Sequence, residues 1–157
     1  MIIIEMENGK TISIELDHDA APISAANFEK LVKEGFYDGL TFHRIIPGFM
    51  IQGGDPLGNG TGGSKETIKG EFAANGINNP LKHTRGVISM ARSMNPDSAS
   101  SQFFIMHADA PHLDGSYAAF GHVTEGMDTV DEIASTPTDF RDRPVTPCVI
   151  KRAYIAE

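Results

Sequence analysis

Residues 42–55 read Phe42-His43-Arg44-Ile45-Ile46-Pro47-Gly48-Phe49-Met50-Ile51-Gln52-Gly53-Gly54-Asp55. Aromatic and β-branched residues fill both halves and Pro47-Gly48 divides them, so the stretch reads as two short strands, Thr41–Ile46 and Phe49–Gln52. Side chains alternate across a strand, which puts Met50 and Gln52 on one face. The loop that follows, Gly53–Ser64, contains six glycines and no helix-forming run.

The same style continues outward. Strands are expected at Gly86–Ala91, Gln102–Met106 and Ala118–Val123, with turn-rich loops between them and a last strand at Val145–Ile155. Gln102 and Phe104 share a face, as Met50 and Gln52 do. Toward the N-terminus, Ile2, Ile4 and Met6 alternate up to Asn8-Gly9, and Ile12, Ile14 and Leu16 alternate after it. That pattern predicts a hairpin with a type I′ turn. Two helices interrupt the strands. Pro22 to Glu34 carries an apolar stripe of Phe28, Leu31 and Val32, with Pro22 in the first turn and Gly35 placed to end it. A shorter helix is expected at Met127–Ala134, with Thr124 as its cap and Pro137 as its stop. Many short strands with two isolated helices predict a closed or nearly closed antiparallel barrel whose ends the helices cover.

At 157 residues, 40% hydrophobic and 22% charged, the chain has the size and balance of one globular domain, expected to span 1–157. The four apolar residues Met1–Ile4 are too short for a signal peptide, and no apolar run approaches the roughly 18 residues of a membrane span. With short terminal margins, no added targeting domain is expected. Cys148 is the single cysteine, which suits a reducing compartment and reads as a small buried hydrophobe rather than a reactive thiol. A net charge of −8 argues against nucleic acid and anionic membranes as partners. A cytoplasmic monomer is the expectation.

Several motif matches fail on context. Gly58-Asn59-Gly60-Thr61-Gly62-Gly63 fits the dinucleotide pattern G-x-G-x-x-G, yet no helix follows to receive a pyrophosphate and no βαβ alternation surrounds it. After Gly63 comes Ser64-Lys65, the reverse of the phosphate-loop order. His107 and His112 are five apart with no third ligand at a familiar spacing, so no metal site is expected. No G-x-S-x-G elbow is present. Asn59-Gly60-Thr61 is a formal glycosylation acceptor without a secretion signal.

Residues 42–55 closely resemble the signature segment of cyclophilins. The resemblance continues through Gly60-Thr61-Gly62-Gly63, Leu81-Lys82-His83-Thr84, Ser89-Met90-Ala91 and Ser101-Gln102-Phe103-Phe104-Ile105, and ends with Leu113-Asp114-Gly115 and Phe120-Gly121. Order and spacing match over essentially the whole chain. The resemblance implies a closed eight-stranded antiparallel barrel capped by two α-helices. It also implies peptidyl-prolyl cis/trans isomerisation on peptides and on unfolded or partly folded proteins, with no cofactor or metal.

By that resemblance Arg44 is the catalytic arginine, with Gln52 orienting it or the substrate carbonyl. Phe49, Met50, Phe104 and Leu113 seat the proline, while Gln102, Gly60 and the Ala91 backbone hold the extended peptide. Taken singly, an arginine on a strand reads as a surface ion pair, aromatic residues as core, and glutamines as exposed amides at a barrel rim. An amide beside an apolar residue on each of two strand faces suits a site for a proline ring next to peptide backbone.

Three positions depart from the familiar pattern. His112 stands where tryptophan is common, which predicts weakened cyclosporin binding with catalysis largely kept. Tyr117 stands where histidine is common and keeps an aromatic wall with a polar tip. Arg92 stands where asparagine is common, in a loop, Ser93–Ser101, one residue longer than usual. It favours acidic peptides or is an exposed charge of little consequence. The competing class is a non-catalytic module that holds proline-containing partners on the same fold; such a binder has no need of Arg44.

Overall fold

The alternating apolar residues at the N-terminus form β1 (Ile2–Met6) and β2 (Thr11–Leu16), paired with Ile2 opposite Ile14 and Ile4 opposite Ile12. This computed structural model describes residues 1–156. Beyond the hairpin come α1 (Pro22–Lys33), β3 (Phe42–Ile46), β4 (Met50–Gly53), β5 (Val87–Met90), β6 (Phe103–Met106), β7 (Ala119–Glu125), α2 (Met127–Ala134) and β8 (Ile150–Ile155). Among the described residues the eight strands make one antiparallel sheet in the order β3-β4-β6-β5-β7-β2-β1-β8.

The sheet curls around a core on its concave face. Ile45, Ile51, Ile105 and Ile88 stand in register across β3, β4, β6 and β5, all fully buried. Phe28 of α1 drops into this core, with ring centroids 5.0 Å from Tyr37, 5.3 Å from Phe103 and 5.2 Å from Phe120. Tyr37 is buried too, and its hydroxyl donates to Ser101 O at 2.9 Å, which meets the need for a partner away from water. The N-terminus of α1 has no side-chain cap of its own. The buried Glu71 supplies one from a distant loop, accepting from Ser24 N at 2.6 Å and Ile23 N at 3.1 Å. Gly35 ends the helix as expected: at φ 72° it lets Phe36 N–H reach Leu31 O and its own N–H reach Val32 O.

Four expectations need correction. The hairpin turn is not type I′, because Gly9 has φ 86° while Asn8 is not in the left-handed region. Gly9 N–H donates to Met6 O and Met6 N–H to Lys10 O, a three-residue loop that needs one positive φ instead of two. Thr124 does not cap α2, since it lies within β7. The cap residue is Gly126 at φ 99°, where a Cβ would sit 2.4 Å from Thr11 O. The last strand begins at Ile150 and not at Val145, because Pro144 and Pro147 have no N–H to donate to a ladder.

The same prolines leave the sheet open instead of a closed barrel. Edge strands β3 and β8 share no ladder and are joined through the single bridge Thr41–Val149. The irregular segment 142–149 lies along β3 in place of a strand: Ile45 N–H donates to Asp142 O at 2.8 Å and Phe42 N–H to Cys148 O at 3.0 Å. The edge is thereby covered without strand pairing.

Candidate active site

Directly opposite residues of antiparallel strands share a face. Arg44 pairs with Gln52, Gln52 with Phe104, and Phe104 with Ser89, so these four form one row across β3, β4, β6 and β5. The row lies on the convex face, away from the Phe28 core. Beside it Met50, Phe104, Met106, Leu113 and Ala119 form a second apolar cluster, with Phe49 and Tyr117 packed at its margin.

A cavity of about 250 Å³ opens over this cluster. Phe49, Met50, Phe104, Leu113 and Tyr117 give it apolar walls; Arg44, Gln52, Ala91 and Arg92 complete the lining. Every lining residue was singled out from the sequence. A second cavity of about 370 Å³ adjoins it, sharing Gln52, Ala91 and Arg92. Gly60 and Gln102 line that second space and not the first. His112 lines neither. It stands exposed on the 3-10 turn Pro111–Leu113, its ring 5.7 Å from that of Phe49.

One hydrogen-bond chain runs beneath the groove. Arg44 Nη1 donates to Gln52 Oε1 at 3.3 Å, and Gln52 Nε2 donates to Gln102 Oε1 at 3.0 Å. Gln102 Nε2 in turn donates to Gly62 O at 2.8 Å and Gly60 O at 3.1 Å. Those glycines belong to the loop that the sequence showed as glycine-rich, and Asp55 holds it. The Asp55 carboxylate accepts from Gly60 N at 2.6 Å, Leu57 N at 2.8 Å and Asn59 N at 3.1 Å. Burial opposes the charge on Asp55, but the N–H groups of Leu57, Gly62, Asn59 and Gly60 together hold its carboxyl below the usual range. The amides that a nucleotide loop would aim at phosphate are thus turned on an internal carboxylate.

Sequence reasoning passed over several supports. Asp55 carries a local signal for its role, since an Asp ahead of a glycine-rich turn favours this kind of side-chain-to-backbone capping. His83 stacks on Phe104 at 6.0 Å and bridges Asp114 Oδ1 and Ser89 Oγ, both at 2.9 Å. Burial lowers the His83 pKa, and the Asp114 contact opposes that only in part. His107 Nδ1 accepts from Gly48 N at 2.8 Å and so fixes the β3–β4 turn. His43, next to Arg44, is buried with neither ring nitrogen hydrogen-bonded, and burial lowers its pKa as well. No three-residue spacing rule would have revealed these long-range pairs.

The family model described as cyclophilin type peptidyl-prolyl cis-trans isomerase/CLD matches residues 1–155. The chain belongs to the cyclophilin family. Peptidyl-prolyl cis-trans isomerase B of Bacillus subtilis is 53% identical over 123 residues, covering 78% of this chain and 82% of that protein. Peptidyl-prolyl cis-trans isomerase-like 1 of Gibberella zeae is 44% identical over 157 residues, covering 99% and 94%. Among solved structures, a cyclophilin type peptidyl-prolyl cis-trans isomerase of Cryptosporidium parvum, determined in the presence of the dipeptide Ala-Pro, superposes with a TM-score of 0.90. It is 33% identical, with coverage of 99% and 98%. The cyclophilin family catalyses proline isomerisation, and this chain is a peptidyl-prolyl cis/trans isomerase.

Proposed function

We propose that the apolar cavity seats the substrate proline and that Arg44 drives the isomerisation. The observation that carries this reading is an exposed guanidinium at the rim of a cavity walled by Phe49, Met50, Phe104, Leu113 and Tyr117. Amide resonance sets a barrier of ~18–20 kcal/mol, and uncatalysed prolyl exchange takes about 10–100 s. Turnover near ~10³ s⁻¹ requires lowering that barrier by roughly 5–7 kcal/mol. No bond breaks, so no nucleophile is needed. As the amide twists, the nitrogen lone pair localises, and a donor aimed at it binds the twisted state more strongly than either planar state. Arg44 is permanently charged and offers rigid donors for this task.

Gln52 keeps Arg44 over the cavity, since its carbonyl accepts from the guanidinium while its NH₂ is held by Gln102. The backbone at Ala91 and Gly60, with Gln102, runs beside the groove and holds extended peptide on the way to the proline seat. The substrates are proline-containing peptides and unfolded or partly folded proteins, acted on by a single domain in the cytoplasm, without cofactor or metal. No helix among the described residues is long and apolar enough to cross a membrane. His112 offers a smaller ring than the tryptophan common at its position, so cyclosporin is expected to inhibit weakly. An inhibition assay giving nanomolar potency would contradict that.

The test of the mechanism is the cis-to-trans rate of an Ala-Pro-Phe peptide by exchange NMR, for wild type and Arg44→Ala. Wild type should accelerate exchange strongly, and folded Arg44→Ala should lose at least about a hundredfold in kcat/KM. Loss of less than threefold would remove Arg44 from the mechanism.

A further inference from the structure

The chain carries 21 acidic residues and a net charge of −8. Among the described residues, no acidic side chain lines either of the two adjoining cavities, where the charged side chains are Arg44 and Arg92. Asp55, under the glycine loop, already has its charge spread over backbone N–H groups. A positive groove on an acidic protein is an arrangement with consequences for which peptides enter it.

Arg92 stands in the wall shared by both cavities. It is not a loose surface charge. Its guanidinium is half-buried between two rings, 4.8 Å from the Phe72 centroid and 4.6 Å from that of Tyr117. Nε and Nη2 donate to Ser116 O at 3.2 and 2.6 Å, and Nη1 donates to Ser93 O at 3.0 Å. A guanidinium has five N–H groups, so one on each Nη is left for a ligand. The acceptors are neutral carbonyls, which fix the group without neutralising it. Held between rings with its rotamer already ordered, it can bind an anion at a smaller entropic cost than a free side chain would.

The larger cavity gives such an anion room. Beside Arg92 it is lined by the hydroxyl-bearing Ser64, Ser93, Ser98 and Ser100. An extended chain advances roughly 3.3 Å per residue. A proline ring in the apolar cavity therefore brings a side chain one or two residues away to the shared wall. We infer that Arg92 is a specificity-determining residue that selects substrates with an acidic side chain, Glu or Asp, flanking the isomerised proline. This rests on the proposed seating of proline in the apolar cavity.

The experiment uses peptides built on Ala-Pro-Phe with Glu, Gln or Lys one or two positions to either side of proline. Exchange rates and binding, by chemical-shift titration, are measured for wild type, Arg92→Gln and Arg92→Lys, at low and high salt. At one flanking position wild type should favour Glu over Lys by about tenfold at low salt, and less at high salt. Arg92→Gln should bring the ratio to within twofold, while Arg92→Lys, which keeps the charge and loses the stack, should retain a ratio above twofold. A lost aromatic wall alone would lower all three peptides equally and leave the ratio untouched. The inference is overturned if the wild-type ratio stays within twofold at every position, or if Arg92→Gln leaves it unchanged. Should Arg92→Gln not fold, the wild-type ratio and its salt dependence still decide. If wild type accelerates none of the peptides, the proposed reading of the site fails, and the Glu-to-Lys binding ratio tests the acidic preference by itself.

Discussion

Phe103 and Phe104 are neighbours on β6 and face opposite sides of the sheet. Phe103 is fully buried among Phe28, Tyr37 and Phe42, at centroid distances of 5.3, 5.4 and 5.8 Å. Phe104 lies under the convex cavity, stacked on His83 at 6.0 Å and edge-on to Tyr117 at 5.8 Å. Both are aromatic, both are buried, and only the concave one is surrounded on all sides by apolar neighbours. The concave face is packed to exclude everything. The convex face is roofed by loops that leave a gap over an apolar floor, and polar chains pin those loops in place. Hydrophobic burial stabilises the first face, whereas hydrogen bonds through Asp55, Gln102 and His83 set the shape of the second.

Asp55→Asn attacks the division where it is sharpest, because a buried polar group serves the site and not the core. An amide cannot accept on both sides, so one or more loop N–H groups lose their partner. Stability should fall by about 1–3 kcal/mol in a denaturant titration. kcat/KM should fall by about tenfold, as Gln102, Gln52 and Arg44 lose their order. Full activity in a folded Asp55→Asn protein would show that the hydrogen-bond chain does not position the arginine.

A smaller effect is expected from pH. His43 and His83 have folded pKa values below the ordinary value of about 6.5, so the unfolded chain binds more protons once pH drops under that value. Their contribution to stability is complete above about pH 6.5 and is lost as pH falls toward their folded pKa values. Asp55 and Asp114, held below the usual carboxylate range, lose theirs only at lower pH. Tm should therefore decline as pH falls below about 6.5, and His83→Gln should flatten that decline. An equal decline in the variant would place the proton elsewhere.

These two polar supports also mark the limit of what the sequence made legible. Strand positions, α1 with its Gly35 stop, and all nine residues around the apolar cavity followed from local pattern or from the family resemblance. Local pattern failed where one residue's conformation decides the outcome. Asn8-Gly9 suggested a two-residue turn, but only Gly9 takes a positive φ. Thr124 resembled a helix cap while it was still in a strand that Gly126 ends. The prolines that keep β3 and β8 apart were visible in the sequence, yet their effect depends on which strands meet at the seam. Glu71 acts on Ile23, 48 positions away in the chain, and His83 on Asp114, 31 positions away, and no periodicity reports such pairs.

The most direct measurement compares Phe103→Ala with Phe104→Ala, scoring stability by denaturant titration and kcat/KM per folded molecule for each; Phe103→Leu serves if Phe103→Ala does not fold. Phe103→Ala should lose about 3–5 kcal/mol of stability and keep kcat/KM within about threefold. Phe104→Ala should lose less stability than Phe103→Ala but at least about tenfold in kcat/KM, because the floor of the proline seat is gone. Equal losses of stability and of activity in the two variants would contradict a sheet divided into a supporting face and a working face.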